Sequence, residues 1–373
     1  MRVVVTGTRG IPSIQGGVET HCEQLYPLLA DLGVDVTVIR RRRYAAAVAD
    51  ASGLTAWHGV WLRDIYAPRR KSLEAIVHTF LAVVEARRLD ADIMHIHAVG
   101  PSLMVPFARL LGMKVVMTNH GPDYRRAKWG RAAAAVLRLG ERLGSRFSNR
   151  VIAISPAIAA DVKEKYEREC ALIPNGVATR SIPAGSDTLI ASFGLIPGRY
   201  IVAVGRFVPE KGFDRLIDAF ALLRRSGRIT DDLRLVIAGD ADHESEYSRR
   251  LRRMASATEG VVLTGFITGD ILSAITGSAA LFVMPSTHEG LPIALLEAMS
   301  YGRDVAVSDI EACRLPELSR GDFFDAANTE SIADRIASKL AAPAIPRRYD
   351  LTRYRWPDIA RATLNLYREL CSN

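Results

Sequence analysis

Apolar residues recur along the chain with two spacings, one typical of buried strands and one typical of helices. Short apolar runs at residues 2–6 and 280–284 predict strands that are buried in a sheet. From Val18 to Leu32 apolar residues return every three or four positions, which predicts a helix that ends at Gly33. Runs of both kinds alternate through most of the chain. This alternation predicts an α/β fold in which each sheet is mostly parallel.

The segment 181–199 interrupts this alternation with residues that favour turns. It contains Pro183, Gly185, Gly194, Pro197 and Gly198, a composition typical of a linker. Near the end, apolar residues spaced by three, four and four predict a further helix that packs on another domain. We therefore predict an N-terminal Rossmann-like domain at residues 1–180, a second one at 181–350 and a terminal helix at 351–373.

Length and composition agree with two globular domains. A chain of 373 residues is long for one core, at roughly 150 residues per domain. With 49% hydrophobic and 24% charged residues, neither disorder nor a fibre is indicated. No apolar run reaches the about eighteen residues that a membrane-spanning helix needs, and the N-terminal run meets Gly7 too soon for a signal peptide. A cytoplasmic location is expected.

The net charge of +8 and the isoelectric point near 9.4 require an explanation. Nucleic acid, an anionic membrane face and phosphorylated small molecules are the candidate partners. The chain has no zinc-finger spacing, no ribonucleoprotein aromatic motif and no basic tail, so nucleic acid is not expected. A four-arginine run at residues 40–43 is interpreted as a solvated loop, or as a surface that faces acidic lipid.

The stretch from Arg125 to Arg150 concentrates this charge, with eight basic residues and one acid, Glu141. Its arginines recur at steps of seven and four, beside an apolar face, so it is predicted to form an amphipathic helix with a break at Gly140 and Gly144. The residues of that apolar face are Val136, Leu139, Leu143 and Phe147. Two interpretations remain open. Either the apolar face packs on the sheet and the arginines lie in water, or the helix docks on an anionic membrane.

A candidate binding site lies at residues 286–302, where a predicted strand, loop and helix follow one another. Glu289 lies in the loop and Glu297 about five residues into the helix, which has Pro292 in its first turn. The backbone N–H groups of Gly290 and Leu291 lie at the helix start, where the helix dipole favours an anion such as phosphate. Carboxylates for sugar hydroxyls beside amides for phosphate suggest a sugar nucleotide. Alternatively, Glu289 is only a helix-start charge and Glu297 a solvated residue.

Two features of the first half point to the same edge of its predicted sheet. Gly16 and Gly17 come directly before a helix, where the backbone can approach a phosphate or sugar closely; a plain turn and cap is the alternative. Their loop lacks the dinucleotide spacing G-x-G-x-x-G, so a nicotinamide cofactor is poorly supported. His120 ends a strand before a glycine turn, at the edge where open α/β sheets bind ligands. His95 and His97 are interpreted as strand residues with ordinary polar contacts.

With these residues assembled, the chain resembles the retaining glycosyltransferases of family four almost along its whole length. That family has the GT-B fold, in which two Rossmann-like domains face each other across a cleft. The matching motifs are E-G-L-P at residues 289–292 through Glu297, G-R at 205–206 with P-E-K-G at 209–212, and N-G-V at 175–177. The opening G-T-R-G-I-P, the G-G-V-E-T at 16–20 and the phrase H-G-P-D-Y-R-R-A-K-W-G from His120 resemble the branch with rhamnosyltransferases of bacterial surface polysaccharides.

The resemblance implies a role for each candidate residue. Arg206 and Lys211 would bind the donor diphosphate and neutralise charge on the departing nucleotide. Glu289 would hold the transferred sugar, Glu297 the ribose, and His120 would contact the sugar or reacting centre from the other domain. The full donor-binding set is Gly16, Gly17, Arg206, Lys211, Gly290, Leu291 and Glu297. The terminal helix would pack back on the N-terminal domain.

The resemblance also implies that no metal and no tightly bound cofactor are required. The letters D-x-D occur at residues 90–92 and 240–242, but so short a pattern often arises by chance. The four cysteines have no paired spacing and predict neither a zinc site nor a disulfide framework.

The function expected is retaining transfer of a hexose-type sugar from a UDP-, dTDP- or GDP-sugar to a glycan or lipid-linked acceptor. Such an enzyme would act in surface polysaccharide synthesis, in the cytoplasm or bound peripherally to the inner membrane face, where a basic N-terminal domain fits an anionic surface. A sugar-nucleotide epimerase with the same outline is one alternative, and a non-catalytic nucleotide-sugar or polysaccharide-binding protein is another.

Overall fold

The computed structural model describes residues 1–44, 54–68, 71–125, 130–179, 181–341 and 346–372. The chain forms two compact units. The first unit is Met1–Gly176 with Tyr354–Asn373, and the second unit is Val177–Arg353. Each is built on one mostly parallel sheet with helices, which confirms the predicted α/β class. Within the described ranges, no helix is both long enough and apolar enough to cross a bilayer.

The sheet of the first unit has eight strands among the described residues. They are β1 (Arg2–Thr6), β2 (Asp35–Arg41), β3 (Leu54–Trp57), β4 (Val60–Ile65), β5 (Ile93–His97), β6 (Lys114–Asn119), β7 (Arg150–Ala153) and β8 (Ala171–Leu172). The helices before residue 177 are α1 (Gly17–Asp31), α2 (Lys71–Arg88), α3 (Val105–Leu110), α4 (Arg131–Phe147) and α5 (Pro156–Tyr166). The strand order is β3-β4-β2-β1-β5-β6-β7-β8, and β3 runs antiparallel to β4.

The order of strands reverses at β1, which pairs with β2 on one side and with β5 on the other, in parallel with both. Ligands of open α/β sheets bind at the carboxyl ends of strands beside such a reversal. The glycine-rich loop follows β1, and His120 follows β6, the strand next to β5. Both features therefore lie at the carboxyl edge of this sheet.

The second unit has six strands among its described residues, and they are parallel in every pairing. They are β9 (Tyr200–Val204), β10 (Arg234–Ala238), β11 (Val261–Gly265), β12 (Leu281–Met284), β13 (Val305–Ser308) and β14 (Phe323–Phe324). The helices are α6 (Ser186–Ala191), α7 (Phe213–Arg225), α8 (Glu246–Ala257), α9 (Gly269–Gly277), α10 (Ile293–Ser300) and α11 (Thr329–Leu340). The order β11-β10-β9-β12-β13-β14 reverses at β9, which pairs with both β10 and β12.

The predicted linker at 181–199 is wrong in one respect, because it contains α6. Gly185 precedes this helix and Gly194 follows it, as the turn composition suggested. Between these glycines Ile190 is completely buried, and α6 packs on α9. A helix of six residues is too short to give a clear periodic signal in the sequence.

The basic helix α4 does not pack as its apolar spacing predicts. Its small residues face inward: a Cβ at Gly140 would overlap the carbonyl oxygen of Val99, and one at Gly144 would lie 2.5 Å from the sulfur of Met117. The helix is therefore continuous through both glycines, and their missing side chains allow close packing. The larger apolar residues Val136 (39%), Leu139 (47%) and Phe147 (45%) remain exposed beside the arginines. Residues 126–129 of the predicted basic segment lie outside the described residues.

The final helix, α12 (Trp356–Ser372), belongs to the first unit and packs on α1. Trp356 at its start is 4% exposed and lies against His21 of α1, with ring centroids 5.5 Å apart. Gly176 lies under the same indole, where a Cβ would overlap the ring. The first unit thus combines residues from both ends of the chain.

We expect Gly176→Ala to destabilise the first unit by roughly 1–3 kcal/mol, because the added methyl group must displace the Trp356 ring. Gly130→Ala is the matched control, since its φ of −67° suits alanine and no described atom lies within 4 Å of the added Cβ. Differential scanning calorimetry of both variants measures the difference. Equal melting temperatures for the two variants would contradict this packing.

Candidate active site

Two loops of the second unit meet at the carboxyl edge of its sheet. One follows β9 and the other follows β12, its parallel neighbour. The backbone N–H of Thr287 donates to the carbonyl of Glu210 at 2.8 Å. Gly212 has a φ of +64°, and a side chain there would overlap the carbonyl oxygen of Pro285. Only glycine fits this left-handed position and this close approach.

Lys211 and Glu289 form an ion pair where these loops meet. The Nζ of Lys211 lies 2.6 Å from Oε1 of Glu289, and the two side chains are 19% and 13% exposed. A charge-assisted hydrogen bond of this length fixes the orientation of both groups. The sequence predicted a phosphate-binding cation and a sugar-binding carboxylate separately, and the structure brings them into contact.

Arg206, the second predicted cation, pairs with an acid that the sequence did not assign. Its Nη1 lies 2.9 Å from Oδ2 of Asp242, with both side chains 21% exposed. Asp242 is the second acid of the D-x-D letters at 240–242, and the first, Asp240, pairs with Arg252. The acids of this pattern thus accept hydrogen bonds from arginines. A contact between residues 36 positions apart leaves no signal in a sequence pattern.

The remaining predicted donor-site residues of the second unit lie around the start of α10. Glu297 is the fifth residue of this helix and is partly buried. Gly290 and Leu291 precede the helix in the loop, as predicted. Pro292 is the residue just before the first helical turn, not a member of that turn, and its ψ of 108° is extended. A non-helical ψ is typical of the residue that caps a helix start.

In the first unit, the loop between β1 and α1 is held by a buried carboxylate. Glu19 is 6% exposed and accepts from the hydroxyl of Thr8 at 3.2 Å and the backbone N–H of Arg9 at 3.0 Å. Gly16 lies just before α1, and Gly17 is its first residue. No described atom lies within 4 Å of the position that a Cβ of Gly17 would occupy. The backbone is therefore accessible there, as close approach to a ligand requires.

The interpretation of the arginine run at 40–43 as a solvated loop is wrong for Arg40 and Arg41, which belong to β2, whereas Arg42 and Arg43 are exposed. Arg40 is 5% exposed and donates to both carboxylate oxygens of Asp64, at 2.6 and 3.0 Å. It also donates to the carbonyl of Ile11 in the glycine-rich loop at 3.2 Å. Arg41 pairs with the buried Glu74 at 3.1 Å. Part of the positive charge of this unit is thus balanced internally and supports the loop before α1.

His120 follows β6 directly and contacts two further histidines. Its Nε2 lies 2.9 Å from Nδ1 of His97, and its ring centroid lies 5.1 Å from that of His21. His21 in turn contacts Oδ1 of Asn175 through its Nδ1 at 2.9 Å. His97 is completely buried, as is His95. These two strand histidines belong to a polar cluster around His120, which the prediction of ordinary contacts missed.

Burial keeps this histidine cluster uncharged near neutral pH. It lowers the pKa of His21 to about 4, although the hydrogen bond to Asn175 opposes the shift. Burial lowers the pKa of His120 well below its usual value, and the neighbouring histidines lower it further. The pKa of His97 falls for the same reasons. His120 is therefore a neutral hydrogen-bonding group, not a cation.

Glu141 supports the loop that carries His120, although no sequence motif singled it out. This acid of α4 is 1% exposed and accepts from Nδ2 of Asn119 at 3.1 Å and from the hydroxyls of Tyr124 and Tyr166, each at 2.9 Å. Oδ1 of Asn119 accepts from the backbone N–H of Gly121. Glu141 thus stabilises the backbone on both sides of His120. A lone acid within a basic helix is the signal that could have identified it.

The same histidines are the group that could hold a metal ion in the part of the chain that the structure describes. One nitrogen from each of His21, His97 and His120 lies within 4.8 Å of the others. Neutral imidazoles are suitable ligands for a zinc-type ion. The 2.9 Å contact between His97 and His120 has the length of a hydrogen bond, and a metal there would have to replace the shared proton.

Two family models divide the chain between them. The model described as Glycosyltransferase Family 4 matches residues 15–181, and the model described as Glycosyl transferases group 1 matches residues 198–341. Both matches identify the chain as a glycosyltransferase, and its N-terminal part matches family four. Both sets of candidate residues, around His120 and around Lys211, lie within the matched ranges.

This glycosyltransferase is 26% identical over 420 residues to alpha-maltose-1-phosphate synthase of Mycobacterium tuberculosis, with all of both chains covered. Its fold is similar to that of sucrose-phosphate synthase from Thermosynechococcus elongatus, at a TM-score of 0.80 and 20% identity, over 100% of this chain and 99% of that one. It is also similar to Anabaena HepE in complex with UDP-glucose, at a TM-score of 0.72 and 17% identity, over 98% and 99% of the chains. These similarities confirm the GT-B fold.

Acidification should destabilise the first unit of this glycosyltransferase through its buried histidines. The pKa of His21 is about 4 in the folded chain, against 6.5 for a histidine in water, so the unfolded chain binds more protons between these pH values. The contribution of His21 to the free energy of unfolding is fully present above pH 6.5 and is lost as the pH decreases towards 4. At pH 5 the loss from His21 alone is on the order of 2 kcal/mol.

Calorimetry between pH 7.5 and pH 5 measures this loss. We expect His21→Gln to have a flatter pH dependence than the unmodified chain. His58→Asn is the matched control, since His58 is exposed and has a positive φ that asparagine tolerates. A slope that His21→Gln leaves unchanged would show that His21 does not titrate as described.

Proposed function

We propose that the chain transfers a sugar from a nucleoside-diphosphate sugar to a glycan or lipid-linked acceptor, with retention of configuration. The observation that carries the proposal is the 2.6 Å pair of Lys211 and Glu289 at the carboxyl edge of the second sheet. It combines a cation for a diphosphate with a carboxylate for sugar hydroxyls. Arg206 follows the adjacent end of β9 and supplies the second cation.

On this proposal the sugar nucleotide breaks both ion pairs when it binds. Phosphate oxygens accept from Lys211 and Arg206 in place of Glu289 and Asp242, and the two cations stabilise the charge that builds up on the leaving nucleotide. Glu289 then accepts from hydroxyls of the transferred sugar.

We extend the proposal to the other predicted donor contacts. Glu297 binds the ribose hydroxyls from the first turns of α10. The backbone of Gly290 and Leu291 lies near the helix start, where the dipole favours phosphate. In the first unit, Gly16 and Gly17 contact the donor phosphates or the acceptor, and the exposed backbone of Gly17 is open to such a contact. His120 forms a neutral hydrogen bond to the reacting sugar.

The comparisons support a nucleotide-sugar donor, since one protein of the same fold was solved with UDP-glucose. Sucrose-phosphate synthase and alpha-maltose-1-phosphate synthase are named for phosphorylated sugar products. The motifs before Gly17 and after His120 favour the rhamnosyltransferase branch and a role in bacterial surface polysaccharide synthesis. A UDP-sugar is therefore the donor to test first, followed by dTDP- and GDP-sugars.

A peripheral position at the inner membrane face is supported by the outer surface of α4. Leu139 and Phe147 are exposed on this helix together with Arg138 and Arg142. A cavity of about 680 Å³ lies beside its end, lined by Arg109, Arg146 and Arg168 with Pro106, Leu110 and Phe147. Apolar groups surrounded by arginines are typical of surfaces that bind anionic lipid. A lipid-linked acceptor would be held at such a surface.

Measurements of sugar-nucleotide binding test the proposed roles of Arg206 and Lys211. We expect a UDP-, dTDP- or GDP-sugar to raise the melting temperature, since it binds the folded chain. Arg206→Gln and Lys211→Met should each weaken that binding about ten- to hundred-fold, the loss of one charge-assisted contact. Arg228→Gln is the matched control, because it removes a 2.8 Å arginine pair with Asp334 on the surface of the same unit. Donor affinity equal to the control in both variants would refute the assigned roles.

Transfer assays with the donor so identified separate the remaining possibilities. We expect transfer that depends on an added acceptor and a product whose anomeric proton coupling matches that of the donor. Glu289→Gln should lower kcat/KM for transfer by about ten-fold or more, because an amide accepts fewer hydroxyl hydrogen bonds than a carboxylate. Interconversion of the donor without an acceptor would instead favour the epimerase, and binding without turnover would favour the binding protein.

Vesicle co-sedimentation tests the membrane surface. We expect binding to vesicles that contain phosphatidylglycerol and none to pure phosphatidylcholine vesicles. Arg146→Glu should weaken binding by roughly five-fold or more, at about 1 kcal/mol per charge near an anionic surface. Arg253→Glu makes the same charge change at an exposed position of α8 in the second unit. An equal loss in both variants would show that only net charge matters.

A further inference from the structure

A continuous hydrogen-bonded chain of side chains connects the C-terminal helix of the first unit to His120. The hydroxyl of Tyr367 in α12 lies 2.5 Å from Nδ1 of His95, and the hydroxyl of Tyr26 in α1 lies 3.0 Å from the same nitrogen. Tyr26 also lies 2.5 Å from Nε2 of His97, whose Nδ1 lies 2.9 Å from Nε2 of His120. We name these five residues the Tyr367–His120 chain.

The chain is closed to water along most of its length. Tyr26, His95, His97 and Tyr367 are each 0% exposed. Two residues apart on β5, the two histidines point to the same face of the sheet, where α1 and α12 each supply a tyrosine. Buried polar groups must find their hydrogen-bond partners inside the protein. The positions of the protons are therefore determined by the chain itself.

Burial favours the neutral form of each member. Burial lowers the pKa of His95 to about 3 and raises the pKa of Tyr26 and of Tyr367, so all three are neutral at pH 7. A neutral imidazole has one N–H and one acceptor nitrogen, and a tyrosine hydroxyl has one hydrogen to donate. Each group therefore donates only one hydrogen within the Tyr367–His120 chain. The direction of one hydrogen bond thus determines the direction of the next.

The distances favour one assignment. Tyr367 is the nearer donor to Nδ1 of His95, so His95 carries its proton on Nε2 and donates to the hydroxyl of Thr118 at 2.7 Å. Tyr26 then donates to its nearer acceptor, Nε2 of His97. His97 in turn carries its proton on Nδ1 and donates to Nε2 of His120. The proton of His120 is left on Nδ1.

We propose that Tyr367 is a positioning residue that, through His95, Tyr26 and His97, keeps the proton of His120 on Nδ1. Tyr367 occupies the acceptor nitrogen of His95, so the hydroxyl of Tyr26 remains available to His97. Without the Tyr367 hydroxyl, Tyr26 is the donor within reach of that nitrogen among the described side chains. Tyr26 then donates to Nδ1 of His95 instead of to His97. As a result Nε2 of His97 donates to Tyr26, and Nε2 of His120 donates to Nδ1 of His97.

The consequence for catalysis rests on the proposed function, in which His120 contacts the reacting sugar. With its proton on Nδ1 and its Nε2 occupied by His97, His120 offers an N–H donor to a sugar oxygen. In the reversed arrangement it offers a lone pair in place of that donor. The C-terminal helix thus determines whether His120 donates or accepts, without touching the substrate.

Nuclear magnetic resonance of the full-length protein labelled with ¹⁵N-histidine tests the Tyr367–His120 chain directly. Long-range ¹H–¹⁵N correlations distinguish protonated from unprotonated ring nitrogens, and His120→Gln identifies the His120 signals. We expect His120 to be protonated on Nδ1 at pH 7 and to shift mostly to Nε2 in Tyr367→Phe. Tyr26→Phe removes the donor to His97 and should give a mixture of both forms. No sugar nucleotide is needed for this measurement.

Tyr200→Phe is the matched control. It also removes the hydroxyl of a fully buried tyrosine, which donates to the carbonyl of Ile275 at 2.7 Å in the second unit. It should leave all histidine signals unchanged. The proposal is overturned if His120 is protonated on Nε2 in the unmodified chain. It is also overturned if a folded Tyr367→Phe keeps the Nδ1 form, since His95 would then have changed its own tautomer instead.

Kinetics separate this inference from the proposed function. With a donor found by the thermal screen, we expect Tyr367→Phe to lower kcat for transfer about ten-fold with KM for the donor unchanged, because Tyr367 does not touch the donor. A tautomer change without a kcat change would leave the Tyr367–His120 chain intact and refute the role of His120 in transfer. A ten-fold fall in kcat in Tyr200→Phe as well would mean that the loss reflects stability alone.

Discussion

The contact between Lys211 and Glu289 joins residues 78 positions apart, and most of the second unit is arranged so that it can form. It requires that β9 and β12 be neighbours although two strands separate them in sequence, so that their following loops leave the sheet side by side. It also requires glycine at 212, where any side chain would meet the carbonyl of Pro285. Strand order and one missing Cβ therefore determine where the two charges meet.

The same constraint operates in the first unit with different chemistry. There β1, β5 and β6 lie side by side, and their carboxyl ends bring together the start of α1, the strand histidines and His120. Neutral imidazoles replace the ion pairs because the surroundings exclude water, and an uncompensated charge would be costly there. The second unit thus presents charged groups around Lys211, and the first unit presents neutral donors and acceptors around His120.

Much of this could be predicted from the sequence, because it is local. The strands at 2–6 and 281–284 and the helices that follow the glycine-rich loop and Pro292 have periodic patterns that depend only on neighbouring residues. Arg206, Lys211, Glu289 and Glu297 were found by motif. The motif gave residue types but not partners. That Arg206 faces Asp242 depends on the order of strands, which no short pattern contains.

Other features could not be predicted, because the default assumption about a residue type was wrong. Arginines in a run are usually solvated, yet Arg40 is buried against Asp64, a residue on a neighbouring strand. In α4 the apolar spacing indicated the wrong face, since the space beside Val99 and Met117 is too narrow for anything larger than glycine at positions 140 and 144. Glu141 was noted in the sequence only as the single acid of a basic helix. Its structural role, holding the loop around His120, was not predicted.

The origin of α12 has a consequence for how the protein is made. The first unit takes residues from both ends of the chain, so a ribosome must complete the whole second unit before Trp356 and Tyr367 exist. During synthesis His21 and His95 lack these partners, while the residues of the second unit are contiguous and can fold as they emerge. The order of completion is thus reversed relative to the order of translation: the half begun first is finished last. A nascent chain that stops even a few turns early would carry an assembled second unit and a first unit whose buried polar groups are still open to water.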